Sequence, residues 1–423
     1  MSDWVRIPLD ELVDVIDPHP SHRAPDAVVQ GIPFIGIGDI REDGSLIEGK
    51  GRIVSDKIFD EHIQRYQISD RTIGFGRVAT IGKVISFQNP TTKFVVSPTM
   101  AVLEPKPGTN RDFILHALRS EDIQEQLDKL LTGSTRSSLG IELLRKLTIL
   151  HPATAVAKKI SKVLNSVSSQ IDATQALIDK YTAIKQGIMA DLFSRGIDPE
   201  TKALRPTFEE APDLYHETPL GMLPKGWDAY DIADISDVID PNPSHRNPIY
   251  RADGFAFIST VEFIEGDSVE TNTSRRVAES VVLEQERRCA FNENSIVFSR
   301  KGTIGETRFV PTSCRFALLD SLCVLNPKNV DVTYFYHSLR SPSLKTQINQ
   351  LVMGQALPQV SIGRVRELLI PMPNDAMEQR LIGQRIGGIA ELLNSELLHL
   401  RKLQAQKSGL MQDLLTGKVP VPA

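Results

Sequence analysis

The sequence predicts an α+β fold built as a tandem, pseudo-symmetric duplication: a β-rich domain followed by a long helix, twice over, with the two helices paired as an antiparallel coiled coil. Three observations lead there. First, Val15-Ile-Asp-Pro-His-Pro-Ser-His-Arg-Ala-Pro25 returns as Val238-Ile-Asp-Pro-Asn-Pro-Ser-His-Arg-Asn-Pro248, matching at 9 of 11 positions at an offset of 223, which chance does not produce. Second, each copy changes texture after a proline, Pro152 and Pro373, from short β-branched stretches broken by Gly and Pro to a long segment without Pro. Third, Ile160, Leu164, Val167, Ile171, Thr174, Ile178, Tyr181, Lys185, Ile188 and Leu192 follow a strict 4-3 spacing, and Ile382, Ile386, Ile389, Leu393, Glu396, Leu400, Leu403, Lys407, Leu410 and Leu414 repeat it at an offset of 222. Such a stripe keeps one seam in line along a supercoil.

The chain therefore divides into a first β-rich domain (1–152), a first long helix (153–195), a connector (196–219), a second β-rich domain (220–373), a second long helix (374–416) and a tail (417–423). Within the domains, Ile32–Ile40 and Phe94–Leu103, then Ser295–Arg300 and Phe316–Leu325, read as strands, and one helix is expected in each copy, at 111–131 and 331–352. The repeat runs on through these elements. Trp4 maps to Trp227, Arg77 to Arg300, Thr80-Ile-Gly82 to Thr303-Ile-Gly305, and His116-Ala-Leu-Arg-Ser120 to His337-Ser-Leu-Arg-Ser341. A period near 222 residues makes two domain-sized units and excludes a solenoid of short repeats.

The helical stretch from Ile160 to Leu192 is about 50 Å long at 1.5 Å per residue. Two helices with the same seam satisfy it most cheaply by pairing, and a duplication about an approximate twofold axis reverses the second helix. The interruptions at Thr174/Glu396 and Lys185/Lys407 suit fixing register. Leu177, Ile184, Met189, Leu397, Leu398 and Leu415 widen the stripe beyond what two helices cover, so part of it is expected to meet another protein. Five prolines between Gly196 and Pro224 give an irregular connector.

Composition narrows the function classes. Apolar residues are 41%, charged residues 24%, and Gly and Pro number 27 and 26, the profile of a globular chain. No run approaches the roughly 18 apolar residues of a membrane span, and Met1-Ser-Asp-Trp4 opens no signal peptide, so the cytoplasm is the default address. Cys289, Cys314 and Cys323 lack metal or disulfide spacing and read as buried small hydrophobes. A net charge of −5 argues against a surface that coats nucleic acid throughout and leaves room for a local basic patch.

Catalytic signals are weak. Asn247-Pro-Ile-Tyr250 resembles the Asn-Pro-Pro-Tyr loop of amino-methyltransferases, yet the first copy has Ala24-Pro-Asp-Ala27 there and no Phe-x-Gly-x-Gly loop stands upstream. Gly74-Phe-Gly76-Arg-Val-Ala79 fits a relaxed dinucleotide fingerprint that the second copy breaks with Val297 and Ser299. No Gly-x-x-x-x-Gly-Lys-[Ser/Thr] motif occurs, and the repeated His22/His245 has no ligand at metal spacing.

Recognition chemistry is better represented. Ser21, His22 and Arg23, and Ser244, His245 and Arg246, sit in Pro-bounded loops whose donors suit phosphates and base edges; the alternative is a structural loop in which the arginine pairs with Asp17 or Asp240. Arg77 and Arg300 precede turns closed by Gly82 and Gly305, with Lys83 and Lys301 nearby, and either offer cationic donors to DNA or simply end a strand. The polar loops around Thr135 and Arg136, and around Gln355 and Gln359, differ most between the copies. Differing residues at equivalent positions suit domains that read different sequences on a common frame.

Leu223-Pro-Lys-Gly-Trp227 opening the second unit, Gly302-Thr-Ile-Gly305, Ile370-Pro-Met-Pro373 leading into Glu378-Gln-Arg380, and Lys407-Ser-Gly-Leu-Met-Gln-Asp-Leu-Leu-Thr-Gly-Lys418 closing the last helix complete a pattern. In order, duplication and closing helix the chain resembles a type I restriction-modification specificity subunit over its whole length. The first copy departs with Thr154-Ala-Val-Ala157 where the Glu-Gln pair belongs, so that helix start is expected to be capped differently. The resemblance implies two target recognition domains, each reading half of a bipartite double-stranded DNA sequence, and paired helices acting as a ruler for the gap. Two modification subunits would dock on the helices, for which Ile160, Leu164, Ile171, Ile178, Ile188, Ile382, Ile386, Leu393, Leu400 and Leu410 are the candidate positions, and would methylate a flipped adenine at N6. Restriction and motor subunits would join that core. The chain itself would hold no metal or cofactor and do no chemistry, with S-adenosylmethionine, ATP and magnesium on the partners. Two other readings are a DNA methyltransferase in its own right and a coiled-coil scaffold without DNA readout.

Overall fold

The computed structural model describes residues 4–19, 24–41, 44–47, 51–87, 92–131, 138–244, 247–264 and 267–421. The chain forms two compact units, one of residues Met1–Asp172 with Lys402–Ala423 and one of Ala173–Arg401. Each is described by itself.

In the first unit a four-stranded antiparallel sheet runs in the order Val13–Ile16, Met100–Pro105, Ile73–Gly76, Val84–Ser86. A three-stranded sheet places Ile32–Ile35 between Arg52–Val54, antiparallel, and Val95–Val96, parallel. Val5–Pro8 pairs with Thr148–His151 to close the domain's ends together. The second unit repeats these three sheets and adds a two-stranded one, Phe263–Ile264 with Ser268–Val269. Its four-stranded sheet runs Ser236–Ile239, Leu322–Pro327, Ile296–Ser299, Thr307–Phe309; its three-stranded sheet centres on Phe255–Ile258, and Trp227–Asp231 pairs with Leu369–Pro373.

The helices expected at 111–131 and 331–352 are each two. Arg111–Leu118 ends before Glu121–Leu131, and Val332–Ser338 before Pro342–Val352. The break follows from chemistry in the segment itself: Ser341 accepts a hydrogen bond from Leu344 N and Pro342 sits at the first turn, so a new helix is started and the chain turns. Asn110 and Asp331 cap the preceding helices through Phe113 N and Tyr334 N.

The long helices are Thr154–Arg195 and Ala376–Leu414, close to the expected bounds. In the first unit Val156, Ala157, Ile160 and Leu164, at the start of the first helix, share a core with Leu410, Leu414 and Leu415 at the end of the second. In the second unit Met189, Leu192 and Phe193, at the end of the first helix, share a core with Ile382 and Ile386 at the start of the second. Within each unit the beginning of one helix thus meets the end of the other, the antiparallel sense that the duplicated seam predicts.

Lys185 and Lys407, expected to fix register, have charged or titratable neighbours in the β-rich domains. Lys185 lies among Asp267, Arg340 and Arg308, and burial pushes its ammonium toward the neutral form. Lys407 is a charge neighbour of His116. Gly383 explains how close the packing is, because a Cβ there would lie 2.9 Å from Tyr334 N.

The connector is more ordered than five prolines suggest. Tyr215–Thr218 and Gly221–Pro224 form a hairpin preceded by a 3-10 turn at Pro212–Leu214. The helix start after Pro373 uses both members of the Glu-Gln pair: Glu378 accepts from Ile197 N, Trp227 Nε1 and the Arg205 guanidinium, while Gln379 accepts from Asp331 N and donates to Pro373 O. In the first copy the corresponding Val156 and Ala157 are core residues, so that end is held by apolar packing instead. Cys289 and Cys323 are buried as expected; Cys314 is exposed, in the segment after Pro311.

The duplicated histidines carry a pH consequence. Burial lowers the pKa of His116 to about 4 and that of His337 to about 3. Both are neutral in the fold, so their stability contribution is complete above the unfolded value near 6.5 and is lost as pH falls toward the folded values. At pH 5 each is expected to cost about 2 kcal/mol, at 1.36 kcal/mol per pH unit below 6.5. His116→Gln, whose amide can still reach Asn165 Oδ1, bonded at 2.7 Å in the native chain, is expected to flatten the pH 7 to 5 fall in melting temperature. An unchanged slope would contradict it.

Candidate nucleic-acid interface

In the two β-rich domains the described residues beside the segments singled out by sequence form the same strand and turn. In the first, the strand Ile73–Gly76 runs into a turn that closes through Gly82 N to Gly76 O at 3.1 Å, with Ala79 and Gly82 in left-handed conformation. In the second, Ile296–Ser299 runs into the same turn, closed by Gly305 N to Ser299 O at 2.9 Å, with Gly302 and Gly305 left-handed. A glycine at 302 takes that conformation freely where Ala79 strains for it.

Arg77 and Arg300 follow these strands, and neither is a surface donor. Arg77 is 7% exposed; its Nε donates to Leu139 O at 3.0 Å and its Nη1 meets Asp17 Oδ2 at 3.4 Å. Arg300 is 5% exposed, with Nη2 at 3.6 Å from Asp240 Oδ2. The aspartates that sequence reasoning offered to Arg23 and Arg246 are therefore engaged by arginines about 60 positions away. Lys83 is likewise held inside, donating to Ile37 O at 3.0 Å and Ile40 O at 2.9 Å. Arg77 and Lys83 thus give these donors to groups of their own domain, and Arg300 is buried beside Asp240 at the wall of the cleft described next.

The second domain gathers the remaining candidates. An open cleft of about 680 Å³ is lined by Arg300, Lys301, Gln355, Gln359, Ser361 and Arg364, with Leu351 and Val360 as its apolar floor. Gln355 and Gln359 are exposed, and Gln355 Oε1 accepts from Gln359 N at 3.0 Å, which shapes the loop. Lys301 lies at its edge, its ammonium 2.6 Å from Asp320 Oδ2. Ser361 and Arg364 were missed by sequence reasoning. Ser361 caps the short helix Ile362–Arg366 by accepting from Arg364 N at 3.2 Å, and exposed Arg364 leans on Glu367 at 2.8 Å. Their only signal was position, directly after the loop that differs between copies.

Ser244 is exposed and donates to Asn242 Oδ1 at 2.9 Å. Ser21, His22, Arg23, His245, Arg246, Thr135 and Arg136 lie outside the described residues. Among the described residues no group of three His, Cys, Asp or Glu is placed to hold a metal ion, and no helix is long and apolar enough to cross a membrane.

The candidate docking positions on the helices are mostly consumed within the chain. Ile160, Leu164, Ile382 and Ile386 are fully buried, and Ile178 and Leu400 nearly so. Ile171, Ile188, Leu393 and Leu410 are half-buried. Met189 and Leu415 also belong to the unit cores, Ile184 and Leu397 are half-buried, and Leu177 and Leu398 stay exposed, with Val163 and Leu392 beside them in exposure. A stripe that serves both a seam and a domain surface has little left for a partner; the apolar surface that remains lies elsewhere on the same helices.

Comparison with known proteins agrees with this layout. The model of the type I restriction modification DNA specificity domain matches twice, at residues 1–182 and 224–397. The chain is 21% identical over 429 residues to the putative type I restriction enzyme MjaX specificity subunit of Methanocaldococcus jannaschii, covering 99% of this chain and 94% of that one. It is 22% identical over 348 residues to the MjaIX specificity subunit of the same organism, covering 81% and 76%. Its fold is like that of the type I restriction-modification S subunit of M. genitalium, with a TM-score of 0.58 at 16% identity over 100% of this chain and 97% of that one. With the specificity domain present in both halves, the chain belongs to the type I restriction-modification DNA specificity family.

Proposed function

We propose that this chain reads a bipartite double-stranded DNA target, one half-site per β-rich domain, as the specificity subunit of a type I complex whose chemistry lies on other subunits. The observation that carries the reading is the combination of a repeated frame with divergent sequence: the same strand, turn and short helix recur in each unit, while the segments 133–138 and 354–359 between them in sequence differ in their hydrogen-bonding side chains. In the second domain the cleft with Gln355, Gln359, Lys301 and Arg364 supplies amide and cationic donors of the kind that meet base edges and phosphates. Two modification subunits dock on the helices at the exposed apolar positions Val163, Leu177, Leu392 and Leu398 rather than along the buried seam. They carry S-adenosylmethionine and methylate a flipped adenine in each half-site; restriction and motor subunits bring ATP and magnesium. The paired helices set the gap.

Exchanging loops tests it. Replacing Gly354–Gln359 by the aligned Gly133–Ser138 is expected to change the half-site read by the second domain alone, with assembly intact, as seen by mapping methylated adenines in a host carrying the complex. An unaltered motif in an active complex would remove these loops from the reading. Binding of S-adenosylmethionine by the isolated chain would favour a methyltransferase instead, and DNA protection without sequence preference would favour a scaffold.

A further inference from the structure

We propose that Arg77 and Arg300 are positioning residues for half-site readout, each tying the root of the Pro-Ser-His-Arg loop to the root of the divergent loop. The inference rests on the reading of DNA by those two loops. Asp17 opens the first of them, and its two oxygens do different work: Oδ1 accepts from His19 N at 3.2 Å, turning the chain into the loop, and Oδ2 takes Arg77 Nη1. The same guanidinium donates through Nε to Leu139 O, just past the divergent loop, and Leu139 N returns a bond of 2.8 Å to Arg77 O. A bridge between Val78 and Ser138 extends that pairing by one step. One buried side chain therefore joins three segments that are far apart in sequence.

The second domain builds the same junction. Asp240 Oδ1 accepts from Asn242 N at 2.9 Å, Asp240 Oδ2 faces Arg300, Val360 N donates to Arg300 O at 2.8 Å, and Lys301 bridges Gln359. A second strut recurs with it. Arg145 and Arg366, on the short helices after the divergent loops, donate to Val15 O at 3.2 Å and Val238 O at 2.9 Å, on the strands that lead into the aspartates. The copies differ in tightness, since among the described residues Arg300 Nε and Nη2 have no hydrogen-bond acceptor where Arg77 Nε has Leu139 O. Two reading loops fixed to one buried junction keep a common register on the duplex; two loops on separate hinges do not.

The test uses the full chain with its modification subunits and a panel of duplexes in which each base of each half-site is varied. Arg77→Met is expected to reduce discrimination at the first domain's half-site by about tenfold, the scale of one mismatched base pair, and to leave the second half-site unchanged. Asp17→Asn is expected to act in the same direction, and the double variant to be no worse than Arg77→Met, because one junction is being cut. Arg77→Lys is expected to recover little, lacking the forked donors. Arg300→Met is expected to act on the second half-site only, and more weakly. Loss of melting temperature and of overall methylation with discrimination ratios unchanged in Arg77→Met would overturn the proposal. A wild-type complex that methylates every duplex of the panel alike would instead overturn the underlying reading, and the proposal with it.

Discussion

Replacing Glu378 by Ala is expected to destabilise the second unit by about 3–5 kcal/mol, the cost of breaking a buried ion pair from one side. Glu378 is 2% exposed and is the common acceptor for three donors: the backbone of Ile197 just past the first long helix, the indole of Trp227 at the opening of the second domain, and the guanidinium of Arg205 in the connector, one arm of which lies at 2.9 Å. Truncation strands all three, and the Arg205 guanidinium, largely buried at 17% side-chain exposure, loses its counter-charge. Gly196, left-handed at the helix end and packed against Trp227, leaves no room for the connector to reorganise. The first unit supplies the control. There Val156 occupies the equivalent position and Trp4 packs on Gly417, so the same corner is built without charge. Glu378→Val combined with Arg205→Met is therefore expected to recover most of the loss, since buried pairs replaced by apolar groups of similar size are often neutral. Denaturant unfolding measures both, and Glu378→Ala within 1 kcal/mol of the native chain would show that the clamp is dispensable.

The comparison of these corners shows what the sequence could tell. The duplication, the seam and the ends of the long helices were legible because each is a local or periodic signal: Ile160 to Leu192 and Ile382 to Leu414 repeat every three or four residues, and Pro152 and Pro373 mark where the texture changes. The split after Leu118 and Ser338 was hidden because Arg-Ser120 and Arg-Ser341 interrupt an otherwise helical apolar pattern by only two or three residues. The connector hairpin was missed because prolines are tolerated at strand ends on an unpaired edge, as at Pro224 opposite Tyr215. At the candidate interface the sequence did not show where the cationic side chains would turn. Arg77 and Lys83 look like donors for DNA, yet their acceptors, Asp17, Leu139, Ile37 and Ile40, come from segments that local pattern cannot bring together. The neighbours of Lys185 and Lys407 in the β-rich domains were hidden too, because a seam position near a domain has no signature of its own.

Lengthening both long helices by four residues, after Ile178 and after its seam counterpart Leu400, is expected to keep both half-sites and widen the methylated motif's gap by about two base pairs. Four residues add about 6 Å of helix at 1.5 Å each, against about 3.4 Å per base pair. Both sites are buried, Ile178 at 6% and Leu400 at 8% exposure, so an insertion in one helix alone would leave apolar residues of the other without partners; the matched pair avoids that. Four residues overshoot a full turn by about 40°, which rotates the seam and taxes stability, whereas a matched insertion of seven, near two turns of a supercoil, keeps the seam in phase. The seven-residue version is accordingly expected to be the more stable of the two and to widen the gap by about three base pairs. Mapping methylated adenines reads both changes at once: intact half-sites report on the loops, and the interval between them reports on the helices. An active variant with an unchanged interval would refute the ruler and leave the half-site reading untouched.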